Sequence, residues 1–350
     1  MYALSAAQAL SPAIERTRRL LFSPFRWGTF LKLCAVAVFT EGFGGNFNFS
    51  GPSHSSSHIP TDGAAPSLPH FTLPPGWIAL IVVGVLVALL IGFLVFYLVT
   101  RLRFALFHCL AYQVKEIRPG WHLYREPANR FFLLNIVVGL VFMVLIVLAI
   151  APFAVGMFRI FRQTQAGAHF DVAMFLSLFL PLFFLILAIA LVAVAIDVVL
   201  RDFMLPHFAL EDATSGQAWA AVKARVAAEK GPFVLYAVLR ILLPVAVMIA
   251  LVMVLAIPML IVFGILAALF AGTHFLLGDI AALRIFVEVL IGLAAFAIGL
   301  FLAIAFGGPL SLWVRNYALL FYGGRYSLLG DVLFPPPPPP LFDASGAPTA

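Results

Sequence analysis

Five ionisable residues stand in or beside long apolar runs: Asp197, Arg201, Asp202, Arg240 and Arg315. A charged side chain at membrane depth is costly, so each of these needs a partner or a function. Asp197 and Arg201 are four apart, which puts them on one face of a helix. Arg240 lies about 12 Å along a helix begun at Pro232. The plain chemistry is a structural ion-pair network, with arginine heads reaching toward the inner headgroups. The sharper chemistry is a polar pocket for a lipid headgroup or a small anion.

Other polar groups offer less. Arg284 and Glu288 repeat the four-residue spacing and read as a helix-supporting pair. Glu41 and Asp279 are expected at the outer interface. His54, His58, His70, His169 and His274 fall in segments expected outside. Three serines in coil separate His54 from His58, and a metal site needs ligands on a defined scaffold, so no metal is expected. Cys34 and Cys109 suggest neither a disulfide nor a metal pair. There is no G-x-S-x-G, no H-E-x-x-H, no Walker loop and no nucleotide-binding glycine triad after a strand. No catalytic residue and no cofactor is therefore expected, and the chain does not read as an enzyme.

The elements that must position these residues are set by composition. Of 350 residues, 63% are hydrophobic and only 10% charged, against about 25% charged in an ordinary soluble domain. That excludes a soluble fold and predicts an all-α integral membrane protein. About six transmembrane helices are expected, near 27–43, 76–100, 131–157, 172–200, 232–256 and 283–306, each long enough to cross the hydrocarbon core. Residues 258–277 are expected as a re-entrant segment. One helix needs no such length as 232–278, and a turn at Ile257-Pro258 has no residue suited to water. Residues 1–26 read as a cytoplasmic interfacial arm, with a short helix begun by Ser11-Pro12. Residues 44–75, rich in Ser, Pro, Gly and His, read as an outer loop. Gln217 to Arg225 reads as an amphipathic helix, and 309–326 as an interfacial one. Residues 331–350, with Pro335 to Pro340, read as a disordered proline-rich tail whose prolines act as a stiff spacer.

The basic residues orient this arrangement. Sixteen Lys and Arg fall on one side of the six-span model and three on the other, namely Arg159, Arg162 and Arg284. Basic residues collect on the cytoplasmic side, so both termini are expected in the cytoplasm, with the chain in a cell or inner membrane. The positive charge of +6 is thus a matter of topology, and no nucleic acid partner is expected. Gly84, Ala88 and Gly92 form a face of small residues, as do Gly264, Ala268 and Gly272, and also Ala295, Gly299, Ala303 and Gly307. Such faces let helices approach closely. The expected partners are membrane lipids, together with other membrane proteins or a second copy meeting these faces.

Three stretches carry a family resemblance: Arg18-Arg-Leu-Leu-Phe-Ser-Pro-Phe-Arg-Trp27; Arg101-Leu-Arg-Phe-Ala-Leu-Phe-His-Cys-Leu-Ala111 with Asn129-Arg-Phe-Phe132; and Asp202-Phe-Met-Leu-Pro206 with Gly231-Pro-Phe233 and Tyr236-Ala-Val-Leu-Arg240. Their order resembles a group of uncharacterised prokaryotic membrane proteins similar to the membrane domain of some glycerophosphodiester phosphodiesterases. The phosphodiesterase catalytic domain has no counterpart in the chain. The resemblance therefore implies a six-helix membrane fold and not that activity. The function expected is a non-enzymatic lipid- or partner-binding membrane module. The alternatives are a transporter or channel with a polar site near Asp197 and Arg240, and a membrane-embedded lipid-modifying enzyme.

Overall fold

Apolar runs in hydrocarbon must satisfy every backbone N–H and C=O internally, which a helix does within one segment. The computed structural model describes residues 4–45, 75–165, 172–276 and 280–335, and among them it is helical with no strand. In order come α1 (Leu10–Phe22), α2 (Trp27–Gly45), α3 (Pro75–Tyr112), α4 (Arg118–Leu123), α5 (Arg125–Gln165) and α6 (Val172–Val198). A π-helical turn (Val199–Met204) leads into α7 (Leu205–Leu210), then α8 (Ser215–Ala228), α9 (Lys230–Leu276) and α10 (Ala281–Leu302). A second π-helical turn (Ala303–Gly307) leads into α11 (Gly308–Gly323) and α12 (Ser327–Leu333). Five of these helical stretches are long and apolar enough to cross a membrane: Ala79–Tyr112, Arg125–Ile160, Phe175–Leu210, Lys230–Leu276 and Ala281–Gly323. The chain has the build of a multi-pass helical membrane protein.

Packing divides the molecule into two layers. The buried core draws on α1, α2, the last turns of α3, the start of α5, residues 200–208, α8, the first turns of α9, and α11 with α12. This is a packed base. Beyond it the long helices expose Leu, Val, Ile and Phe along nearly their whole apolar length, and they meet mainly as the pairs α5–α6 and α9–α10. An apolar surface of that extent needs lipid to cover it. In the base Thr, Arg, His and Tyr interrupt the apolar runs, so side-chain hydrogen bonds there fix one helix against another.

The base takes in segments expected to lie outside it. Helix α1 starts at Leu10 without a side-chain cap, and it packs on α11 through Ala13, Thr17, Leu20 and Leu21. Its Arg16 donates to the carbonyls of Leu110, Ala111 and Leu333 at 3.0, 2.6 and 3.3 Å. The arm is thus part of the fold. Helix α11, expected at the interface, is the most buried of all, because its polar residues bond inward; Asn316 Nδ2 donates to Thr17 Oγ1 at 2.9 Å. Helix α12 adds Leu329, Gly330 and Leu333 to the core, so the base extends past 331. The rest of the tail, residues 336–350, and the outer loop over 46–74 lie outside the described residues.

Helix α2 forms over the first expected span, and Leu33, Cys34, Ala37 and Thr40 bury one of its faces in the base. One further expectation changes. Residues 230–276 form one unbroken helix through Pro244 and Pro258, where a span and a re-entrant segment are expected. At 47 residues it is about 70 Å long. A break at Pro258 would strand backbone groups among apolar side chains with no polar residue or water to take them. Helix α8 forms as the amphipathic element, opened by a capping box between Thr214 and Gln217.

The small-residue faces split the same way as the layers. A methyl group added at Gly84, Gly92, Gly264, Gly272 or Gly299 would have nothing within 4 Å. No described residue packs against these five glycines, whereas at Gly307, the last of the third face, the added carbon would meet Val38 Cγ2 at 3.5 Å. At Gly308 the added carbon would sit 2.6 Å from Cys34 Cα, so α11 and α2 touch backbone to backbone there. Gly308→Ala is therefore expected to destabilise the base by about 1–3 kcal/mol through overpacking. Gly84→Ala should leave stability nearly unchanged. Thermal unfolding of the two variants in one detergent compares them directly.

Candidate functional site

Charges from six helical elements converge where the base meets the long helices. The first π-helical turn supplies Arg201 and Asp202, adjacent in sequence and both buried. Such turns are rare and concentrate at functional sites. Asp202 is the hub. Its Oδ2 accepts from Tyr236 Oη at 2.8 Å and from Arg240 Nε at 3.0 Å, while its Oδ1 accepts from Arg315 Nη1 at 2.9 Å. Arg315 Nη1 also donates to the Arg201 carbonyl at 3.3 Å. Tyr236 is held flat between Tyr317 and Phe321, with ring centroids 5.2 and 4.4 Å away.

Glu41, from the C-terminal part of α2, is the second anchor. It accepts from Arg315 Nε and lies 3.7 Å from Arg240 Nη2 and 3.9 Å from Arg201 Nη1. Asp197, one turn before Arg201 on α6, approaches Arg201 Nε at 2.6 Å, a contact of charges in which the N–H is not aligned. Arg103, from α3, is buried too, and its Nε donates to the Thr40 carbonyl at 3.2 Å. No carboxylate of the described residues lies within ion-pair distance of it.

All five residues singled out from the sequence meet here: Asp197, Arg201, Asp202, Arg240 and Arg315. Three more charged or hydroxyl-bearing members do not follow from spacing alone. Arg103 sits in a basic stretch that reads as a connection. Tyr236 is one aromatic among many. Glu41 is placed with these arginines and not at the outer interface, which corrects that expectation. The signal that could have found it is plain: Glu41 is the one acidic residue of the first apolar run, and an isolated carboxylate there needs a cation. The Arg284–Glu288 pair forms with 3.8 Å between Nε and Oε1, and His274 Nδ1 lies 3.6 Å from the same oxygen. His54, His58, His70, His169 and Asp279 lie outside the described residues. Among the described residues no group of three or more His, Cys, Asp or Glu could hold a metal ion.

A second polar group lies in the base. His207 Nε2 is 2.7 Å from Tyr322 Oη and His207 Nδ1 is 3.1 Å from Glu211 Oε2, while Arg225 lies over the Tyr326 ring at 5.0 Å. Burial opposes the charge on Glu211, but His207, Tyr326 and Arg225 together outweigh it and hold the carboxyl below the usual carboxylate range. The base surface also carries an open cleft between the α1–α2 turn and the connection after α3. It is lined by Arg26, Lys32, Lys115 and Arg118, with Glu116 as its one acid.

A family model matches residues 4–332. The chain belongs to DUF7544, a family of unknown function. The DUF7544 match takes in the arginine–carboxylate cluster, all five long helices and the base up to the last turn of α12. No curated protein and no solved structure matches the chain.

The geometry ranks the carboxylates. Asp202→Ala strips a fully buried hub from two arginines and a tyrosine, and removing one partner of a buried ion pair costs about 3–5 kcal/mol. Asp197, 30% exposed, has one arginine contact, so Asp197→Asn should cost clearly less. Thermal unfolding and the yield of monodisperse protein in detergent report the order. Equal losses would show that Asp202 is not the hub.

Proposed function

We propose that this chain is a non-enzymatic, multi-pass module of a cell or inner membrane, with both termini cytoplasmic, that binds anionic lipid headgroups on its base. The observation that carries this is the open cleft lined by Arg26, Lys32, Lys115 and Arg118. It opens beside an aromatic group, Phe22, Phe25 and Trp27, whose rings pack on one another while Trp27 stays 63% exposed. Basic groups next to amphipathic rings are what an anionic membrane surface attracts. Lys115 Nζ donates to the carbonyls of Ser23 and Pro24 at 3.0 and 2.9 Å, which ties the two walls of the cleft together.

Orientation follows from the same charges. Arg103, Arg201 and Arg315 are bound up in the buried cluster, yet the thirteen other basic residues assigned to that side still far exceed the three on the other. The likeness to a phosphodiesterase membrane domain fits a module of this kind, with chemistry, if any, supplied elsewhere. A second reading, association with another membrane protein or a second copy, is favoured by one observation. At Gly84, Gly92, Gly264, Gly272 and Gly299, on α3, α9 and α10, an added methyl would meet no described residue within 4 Å. A transport path through Asp197 and Arg240 has less support, since Arg240 and Asp202 are bonded to each other in a buried, closed network.

Native mass spectrometry of the full chain released from detergent tests the lipid reading. Wild-type protein should retain anionic phospholipid in preference to zwitterionic. Each basic residue near such a surface is worth about 1 kcal/mol, so Lys32→Gln with Arg118→Gln should weaken retention on the order of 10-fold or more. Wild-type protein without anionic lipid, or a double variant that retains as much, would refute it.

A further inference from the structure

The buried cluster is unbalanced in charge. It holds four guanidiniums, Arg103, Arg201, Arg240 and Arg315, against three carboxylates, Glu41, Asp197 and Asp202. A guanidinium keeps its proton in any protein environment, so the cluster carries one uncompensated positive charge. The ion pairs locate it. Arg201, Arg240 and Arg315 each contact a carboxylate, and Arg103 contacts none of the described ones.

The hydrogen bonds point to the same spot. Arg103 Nη2 and Arg315 Nη2 are both buried and both without a partner, and leaving a charged donor unmet is among the costlier defects of an interior. These two arginines, with Arg201 and Thr40, line a cavity of about 20 Å³. One water-sized occupant needs roughly 10–15 Å³ by this measure, so there is room for a single atom-sized guest. The remaining walls, among them Leu106, Phe107 and Leu205, are apolar. Asp202 also borders the cavity, but its oxygens already accept from Tyr236, Arg240 and Arg315.

We propose that this cavity is a binding site for one small monovalent anion of the halide class. Size excludes a phosphate, a sulfate or a lipid headgroup. Charge distinguishes a halide from water: water would meet the free N–H groups but leave the extra cation in place, whereas a halide meets both needs. A site buried inside the base is a structural ion site, which locks α2, α3, the first π-helical turn and α11 against one another. The inference does not depend on the lipid-binding cleft, which shares none of these residues.

The test uses the full chain in detergent, prepared in gluconate and titrated with bromide at constant ionic strength. Wild-type protein should gain thermal stability with bromide, on the order of 2–4 °C for each tenfold rise above saturation. Diffraction at the bromine edge should show one anomalous peak within the cavity. Arg103→Met leaves three cations to three carboxylates. It should unfold no earlier than wild type in gluconate and lose the bromide response. The proposal is overturned if wild type responds equally to bromide and gluconate, if Arg103→Met keeps the full response, or if the cavity shows a water without anomalous signal. Should Arg103→Met fail to fold, the wild-type anomalous peak decides alone.

Discussion

Four arginines buried side by side cannot give up their protons, and a buried charge without a partner is far costlier than the pair it would form. The chain must therefore bring carboxylates to them from wherever the sequence holds any. Asp202 comes from the π-helical turn after α6, Glu41 from α2 and Asp197 from α6, and the arginines they meet arrive on that same turn, on α9 and on α11. Any tilt or slide of one of these helices separates charges that have no other partner. The register of the base follows from that requirement more than from shape matching of apolar side chains.

The long helices are under a different constraint. Between two apolar helices in hydrocarbon there is no hydrophobic drive to associate, because lipid tails solvate Leu and Val as well as another helix does. This accounts for the lightly packed pairs α5–α6 and α9–α10, and for glycines such as Gly84 and Gly264 that meet no described residue. It also accounts for the intact helix through Pro244 and Pro258, since backbone hydrogen bonds are the one interaction that lipid cannot replace.

These two regimes separate the roles available to the protein. The buried cluster is closed to anything larger than a single atom, so its part is to hold helices in place. Among the open clefts of the base is the basic, aromatic-edged one between the α1–α2 turn and the loop after α3. The buried cluster and this open cleft thus sit in different parts of one base.

Composition and hydropathy alone determine that the chain is helical, multi-pass and rich in basic residues on one side, because a bilayer permits few other solutions for such a sequence. The five charges at Asp197, Arg201, Asp202, Arg240 and Arg315 also stand out in sequence, since an ion in an apolar run is conspicuous wherever it points. Their common destination is not legible there. Spacing relates residues within one helix, and only Asp197 and Arg201 share one closely enough. Glu41 meets arginines more than 150 positions away, and Arg103 and Tyr236 join because of how whole helices cross. The burial of α1, α11 and α12 is likewise a tertiary matter: each has enough polar groups to pass for an interfacial segment, and what decides otherwise is that those groups find partners inside.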